Sequence, residues 1–263
     1  MVGSNLLLAN FYMKMEDLLM KVRISNYSCA ENPIITIYKA YRLCYSAGEQ
    51  CNIKLPMKDG KLDYEAMSDF IIDKIKLGHT TPLEHVSFTF EISGVSRSLT
   101  HQLVRHRTGK FNQQSQRYVE IKNFEYVTPP AIEKDEDLKS LYKESLEAIA
   151  EVYEAISIVL TEKYVEKGMN EREARKKAIE DARYVLPNAC TSNITVTMDL
   201  HNFRHFYALR NCVHAQWEIR RLAHLMGALV SDIVPFALDD AMHCGITCNN
   251  CLIKKEVEQA HVH

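Results

Sequence analysis

Val86-Ser87-Phe88-Thr89-Phe90-Glu91-Ile92-Ser93 alternates apolar and polar side chains without interruption. Successive side chains of a strand point to opposite faces, so this pattern predicts a strand with one buried and one open face. Just before it, Thr81-Pro82-Leu83-Glu84 reads as a capping box, with threonine as the cap, proline in the first turn and glutamate reaching back. Just after it, Gly94 is expected to end the strand and Ser96 to cap a helix carrying Leu99 and Leu103. Thr108-Gly109 breaks that helix, and Phe111 to Ile121 is expected to return as an extended segment.

Working outward, Val22-Arg23-Ile24 can open a first strand. A helix is expected from Pro33, with Ile34, Ile37, Tyr38, Tyr41 and Tyr45 at helical spacing, and another from Asp63 to Leu77. Downstream of Pro129-Pro130, Leu138, Leu141, Tyr142, Leu146, Ile149, Val152, Tyr153, Ile156 and Leu160 form one long apolar stripe. Asn170 and Glu173 mark a further capped helix ending near Leu186-Pro187, and a last long helix is expected over 202–230. Strands embedded among long helices make an α+β fold, an antiparallel sheet packed with helices in a single domain. Its expected boundaries are 20–235, with 1–19 as an N-terminal extension and 236–263 as a cysteine-rich tail.

A chain of 263 residues, 46% hydrophobic and 25% charged, can bury a substantial core. Its net charge of -2 gives no general attraction for nucleic acid or membrane surfaces. Eight cysteines in a chain of this length do not resemble a secreted disulfide scaffold. The expected setting is therefore a reducing cytoplasm.

Against this background one segment stands out. No acidic residue occurs between Glu91 and Glu120, yet the stretch holds Arg97, Arg105, Arg107, Lys110 and Arg117 with His101 and His106. A solvated basic face is the ordinary explanation of such a run. Here arginine outnumbers lysine, and its planar fork suits bidentate contact with phosphate. Gln102, Asn112, Gln113, Gln114, Ser115 and Gln116 lie between the cations and can hydrogen-bond a base or sugar. The combination points to a pocket for an anionic, hydrogen-bonding ligand.

Arg105-His106-Arg107, seven residues and Ser115 match the signature R-H-R-x(7)-S of flavin-dependent thymidylate synthases, which this chain resembles. His79-Thr80-Thr81-Pro82-Leu83-Glu84-His85 is similar to that family's H-x-T-P-x-E-H segment. Ala182-Arg183-Tyr184-Val185-Leu186-Pro187 is similar to its A-R-x-x-L-P segment, and Leu209-Arg210 with Ala215-Gln216-Trp217-Glu218-Ile219 to its L-R…A-Q-W-E-I helix. The resemblance implies a homotetramer that converts dUMP to dTMP with methylenetetrahydrofolate as carbon donor. FAD, reduced by NADPH, supplies the hydride. It implies flavin contacts from His79, Thr81, Glu84, Arg105, His106, Arg107, Asn112, Asp199 and His205. It implies dUMP contacts from Gln102, Arg105, Gln113, Gln114, Ser115, Gln116, Arg117, Arg183 and Arg210, with Arg210 as the catalytic electrostatic group. Gln113 stands where some members have glutamate, and Asp199 where asparagine is expected.

Two other functions compete: a nucleotide- or RNA-binding module using the same patch, and a metal hydrolase built on His79, Glu84 and His85. The latter spacing is not H-E-x-x-H, and Glu84 is expected to cap, so no metal is assigned. Cys190 is expected to be a buried thiol and Trp217 a core side chain. His243, Cys244, Cys248 and Cys251 offer four soft ligands, compatible either with a structural zinc or with a reduced tail.

Overall fold

The computed structural model describes residues 20–28, 32–48, 52–117 and 124–239. In chain order, β1 (Lys21–Ser28) leads to α1 (Pro33–Leu43), the short strands β2 (Met57–Lys58) and β3 (Lys61–Leu62), and α2 (Tyr64–Lys76). A 3-10 turn (Thr81–His85) enters β4 (Ser87–Ser96), followed by α3 (Arg97–Leu103) and β5 (Lys110–Gln113). Then come α4 (Pro130–Glu133), α5 (Glu136–Glu166), α6 (Glu171–Ala182), a second 3-10 turn (Arg183–Val185), β6 (Thr191–Asp199), α7 (Leu200–Arg210) and α8 (Trp217–Ile233). The N-terminal extension and the Cys244/Cys248/Cys251 tail lie outside the described residues.

The expected α+β class, antiparallel sheet and single domain are all present. Four strands pair antiparallel in the order β1-β4-β6-β5. Phe88, Phe90 and Ile92 of β4 and Ile194, Val196 and Met198 of β6 point to one face and are buried there with α1, α2, α7 and α8. The opposite face carries Arg23 paired with Glu91, and Thr89 hydrogen-bonded to Thr197 at 2.9 Å.

Several expectations need correction. Thr81 does not cap: the turn is a 3-10 helix in which the Thr80 carbonyl accepts from the Leu83 N–H at 3.0 Å, with no side-chain cap. Gly94 does not end β4; with φ 68° it forms a bulge between Ile92 and Val95, and the strand runs on to Ser96. Ser96 then caps α3 as expected, accepting from the Leu99 N–H at 3.0 Å. Extension after Gly109 reaches only Gln113 before a turn at Gln116 and Arg117; residues 118–121 of that expected segment are outside the described residues.

β6 is a strand beyond those expected, although Ile194, Val196 and Met198 alternate with Asn193, Thr195 and Thr197 as clearly as the apolar and polar residues of β4 do. The expected helix over 202–230 is two helices. α7 ends at Arg210, and the Gln216 side chain starts α8 afresh by accepting from the Glu218 and Ile219 N–H groups. The join, Asn211 to Gln216, holds no proline or glycine, but Asn211, Cys212, Val213 and His214 are weak helix formers, and both pieces pack on the sheet. Gly227 makes their contact possible, because a Cβ there would lie 2.5 Å from Cε2 of Tyr207.

α5 and α6 form a helical hairpin beside the sheet. A second cluster of Phe124, Leu146 and Cys190, with Tyr142, Ile149 and Leu186, joins it to the rest. The long apolar stripe of α5 is only partly covered: Leu146 and Tyr153 are buried, whereas Leu138, Leu141 and Val152 are exposed. No helix among the described residues is long and apolar enough to cross a membrane.

Candidate functional site

The arginine-rich segment begins at α3, whose backbone is tied down at its start. The Arg97 N–H donates to the Cys190 carbonyl at 3.0 Å and the Ser98 N–H to the Asn188 carbonyl at 3.1 Å. α3 carries the half-buried Gln102 and ends in a tight turn bearing Arg105, His106 and Arg107. Arg105 and Arg107 are exposed, and neither forms an ion pair with any described residue.

His106 faces inward. Its ring lies edge-on to Phe206 at 5.0 Å, and Arg210 Nε donates to His106 Nε2 at 2.9 Å. Burial first, then the charges of Arg210 and His205, push the imidazole down to about 4. The ring is therefore neutral near pH 7, and Nε2, as the acceptor, leaves the proton on Nδ1. Burial also lowers the Arg210 pKa from its usual value, yet an arginine stays charged. Two motif segments more than a hundred residues apart in sequence thus meet in one contact.

β5 divides the following residues by its alternation. Asn112 lies opposite Thr195 on the open face of the sheet, and Gln114 joins it there, its Oε1 accepting from Asn193 Nδ2 at 3.2 Å. With Lys21, Arg23 and Glu91 they line a cleft of about 730 Å³. Gln113 turns the other way. Its Nε2 donates to Thr100 Oγ1 at 3.0 Å and to Ser192 Oγ at 3.1 Å, so its amide nitrogen is spent inside the fold.

At the far end of the segment, the Ser115 hydroxyl accepts from the Arg117 N–H at 3.1 Å. Arg117 Nη2 pairs with Glu180 Oε1 at 2.6 Å. Arg183 donates from Nε to the Glu180 carbonyl at 3.1 Å. Glu180 of α6 therefore gathers two arginines that lie far apart in the chain. Glu180 is not among the candidates read from the sequence, because its carboxylate meets Arg117 by tertiary packing while Arg183 takes only its backbone carbonyl. Gln116 sits half-buried in the same turn.

The remaining candidates are elsewhere. His79, Thr81 and Glu84 are exposed around the first 3-10 turn, where Tyr41 donates its hydroxyl proton to the His79 carbonyl. That turn packs on α7, the helix carrying His205 and Arg210. Asp199 caps α7, accepting from the Asn202 N–H at 2.8 Å and Nδ2 at 2.6 Å, so its carboxylate serves the helix start. Within one chain the candidates thus form three groups: His106 with Arg210 near the 3-10 turn, the amide-lined cleft, and the arginines on Glu180. Cys190 is a buried thiol as expected, and burial pushes it up to about 12, which removes it as a nucleophile. Trp217 is half-buried at the first position of α8.

The family model for the thymidylate synthase complementing protein matches residues 25–236. The chain belongs to this family. It is 45% identical over 215 residues to a flavin-dependent thymidylate synthase of Clostridium tetani, covering 82% of this chain and 84% of the relative. A protein of the same name from Nitratidesulfovibrio vulgaris is 40% identical over 230 residues, covering 86% and 88% of the two chains. One from Geobacter sulfurreducens is 37% identical over 212 residues, covering 80% and 82%.

Proposed function

We propose that this protein is a flavin-dependent thymidylate synthase that methylates dUMP to dTMP with the carbon of methylenetetrahydrofolate. The observation that carries the reading is the Arg210–His106 contact, which joins the R-H-R and L-R segments of the family signature into one cationic donor beside one neutral imidazole. The donor set fits FAD: exposed Arg105 and Arg107 lack ion-pair partners among the described residues and suit a pyrophosphate, while Asn112 offers an amide on the open face. When bound, FAD reduced by NADPH supplies the hydride.

In this reading Arg105, His106, Arg107 and Asn112 hold the flavin, with His79, Thr81, Glu84 and His205 contributing from the 3-10 turn and α7. Arg210 keeps one N–H on His106, which fixes the plane of its guanidinium. Its other N–H groups are left to stabilise negative charge developing on the pyrimidine. Gln102, Gln114, Ser115 and Gln116 orient dUMP, and Arg117 and Arg183, gathered by Glu180, meet its phosphate. Gln113 and Asp199 act through the fold, since their hydrogen bonds turn them to Ser192 and to the α7 start.

The unit doing this chemistry spans 20–235, flanked by the extension and the cysteine-rich tail. Its setting is the cytoplasm and its working form a homotetramer. That assembly brings the three groups of residues together from different subunits. Exposed Leu138, Leu141 and Val152 on α5 support a further copy packing there.

Colour tests the reading. Purified protein should bind FAD, lose the oxidised flavin band with NADPH under anaerobic conditions, and regain it on forming dTMP from dUMP and methylenetetrahydrofolate. Colourless protein after reconstitution with FAD would overturn it.

A further inference from the structure

Glu218 is a buried carboxylate, 2% exposed, in the first turn of α8. Burying a carboxylate is costly unless its oxygens are satisfied, and the positive end of a helix offsets part of that cost. Both oxygens are occupied by one residue. Ser96 donates its backbone N–H to Oε1 at 2.8 Å and its hydroxyl to Oε2 at 2.5 Å. The same hydroxyl accepts from the Leu99 N–H at 3.0 Å, so the residue held by Glu218 is the N-cap of α3. Burial raises the carboxyl pKa, and the two Ser96 bonds oppose that rise.

α3 is only seven residues long and passes directly into the turn bearing Arg105, His106 and Arg107. A helix this short has little rigidity of its own, and an error at its start is carried to its end. Glu218 also lies two residues after Gln216, whose side chain begins α8 just beyond Arg210. One carboxylate therefore ties the start of the R-H-R arm to the helix that follows the catalytic arginine.

We propose that Glu218 is a positioning residue that sets the placement of α3, and through it Gln102 and the R-H-R turn, by acting on Ser96. The assignment of ligands to those residues rests on the flavoenzyme reading; the placement of α3 does not. A misplacement of about 1 Å in a binding arm costs on the order of 10²-fold in rate, so the expected fall in kcat/KM for Glu218→Gln is of that order. Glutamine has one acceptor oxygen where the carboxylate has two, so one Ser96 bond is lost at nearly constant volume.

The test has two readouts. Hydrogen exchange should show faster amides from Leu99 to Arg107 in Glu218→Gln and in Ser96→Ala, with unchanged protection from Phe88 to Ile92 of β4 and in β6. FAD and dUMP affinities should fall together in both variants. The double variant should lose no more than the worse single one, because both act on one link. Ser96→Thr keeps the hydroxyl and the N–H and should bind both ligands as the parent does. Unchanged α3 exchange in Glu218→Gln, or exchange faster everywhere alike, overturns the proposal, as do losses that add in the double variant. If the parent protein itself takes no FAD, the flavoenzyme reading fails, and the exchange pattern still decides whether Glu218 positions α3.

Discussion

The two ends of the R-H-R-x(7)-S segment are held by opposite means. At its start, His106 is packed against Phe206, kept neutral by burial, and bonded to Arg210 on a helix anchored in the main core. At its end, Ser115 and Arg117 lie in a turn whose side-chain anchor is a half-exposed ion pair with Glu180, on the helical hairpin beside the sheet. The first end is fixed by shape and desolvation, the second by a charge pair that water can compete for. A half-buried contact of the first kind sets geometry, whereas an accessible pair of the second kind can exchange its carboxylate for a phosphate at low cost.

Breaking the half-buried end should have the largest effect. Arg210→Ala is expected to lower turnover by about 10²–10³-fold while leaving FAD occupancy nearly intact, measured by dTMP formation and by bound flavin. Equal loss of both would show that Arg210 acts chiefly in holding the flavin arm. At the accessible end, Arg117→Ala should weaken dUMP binding by about 1.5–3 kcal/mol and leave FAD in place, measured by calorimetry. Comparable loss of FAD there would erase the division between the two ends.

A packing change behind the half-buried end comes next. Gly227→Ala drives a methyl group into Tyr207, and overpacking of this kind costs about 1–3 kcal/mol in denaturant unfolding. An unaltered midpoint would mean that α7 and α8 can shift apart freely.

The half-buried end should also carry a pH signature. Because His106 titrates lower in the folded chain, near 4, than an ordinary histidine near 6.5, the unfolded chain binds more protons between those values. The stability it contributes is present above about pH 6.5 and is lost as pH falls toward 4. His106→Gln should remove that portion of the slope, seen by comparing unfolding at several pH values across the window. An identical slope in the variant would mean that His106 is solvated. The smallest effect is expected on the open sheet face, where Arg23→Ala should change stability by no more than about 1 kcal/mol.

The sequence alone determined the strand at Val86–Ser93, the helix starts at Pro33, Ser96 and Asn170, and the acid-free cluster of arginines and amides. Each of these is written in side-chain period, capping chemistry or charge, which act over a few residues. Tertiary structure decided which of those residues meet. Alternation in β5 sent Gln113 inward to Thr100 and Ser192 while Asn112 and Gln114 faced out, which a run of three amides cannot reveal before the register with β6 exists. Asp199 became a helix cap because β6 ends there. The run over 202–230 breaks after Arg210, where Gln216 caps a second helix, and that break placed Arg210 on His106 and Glu218 under Ser96. Contacts between distant segments depend on where whole elements pack, and no local pattern encodes that.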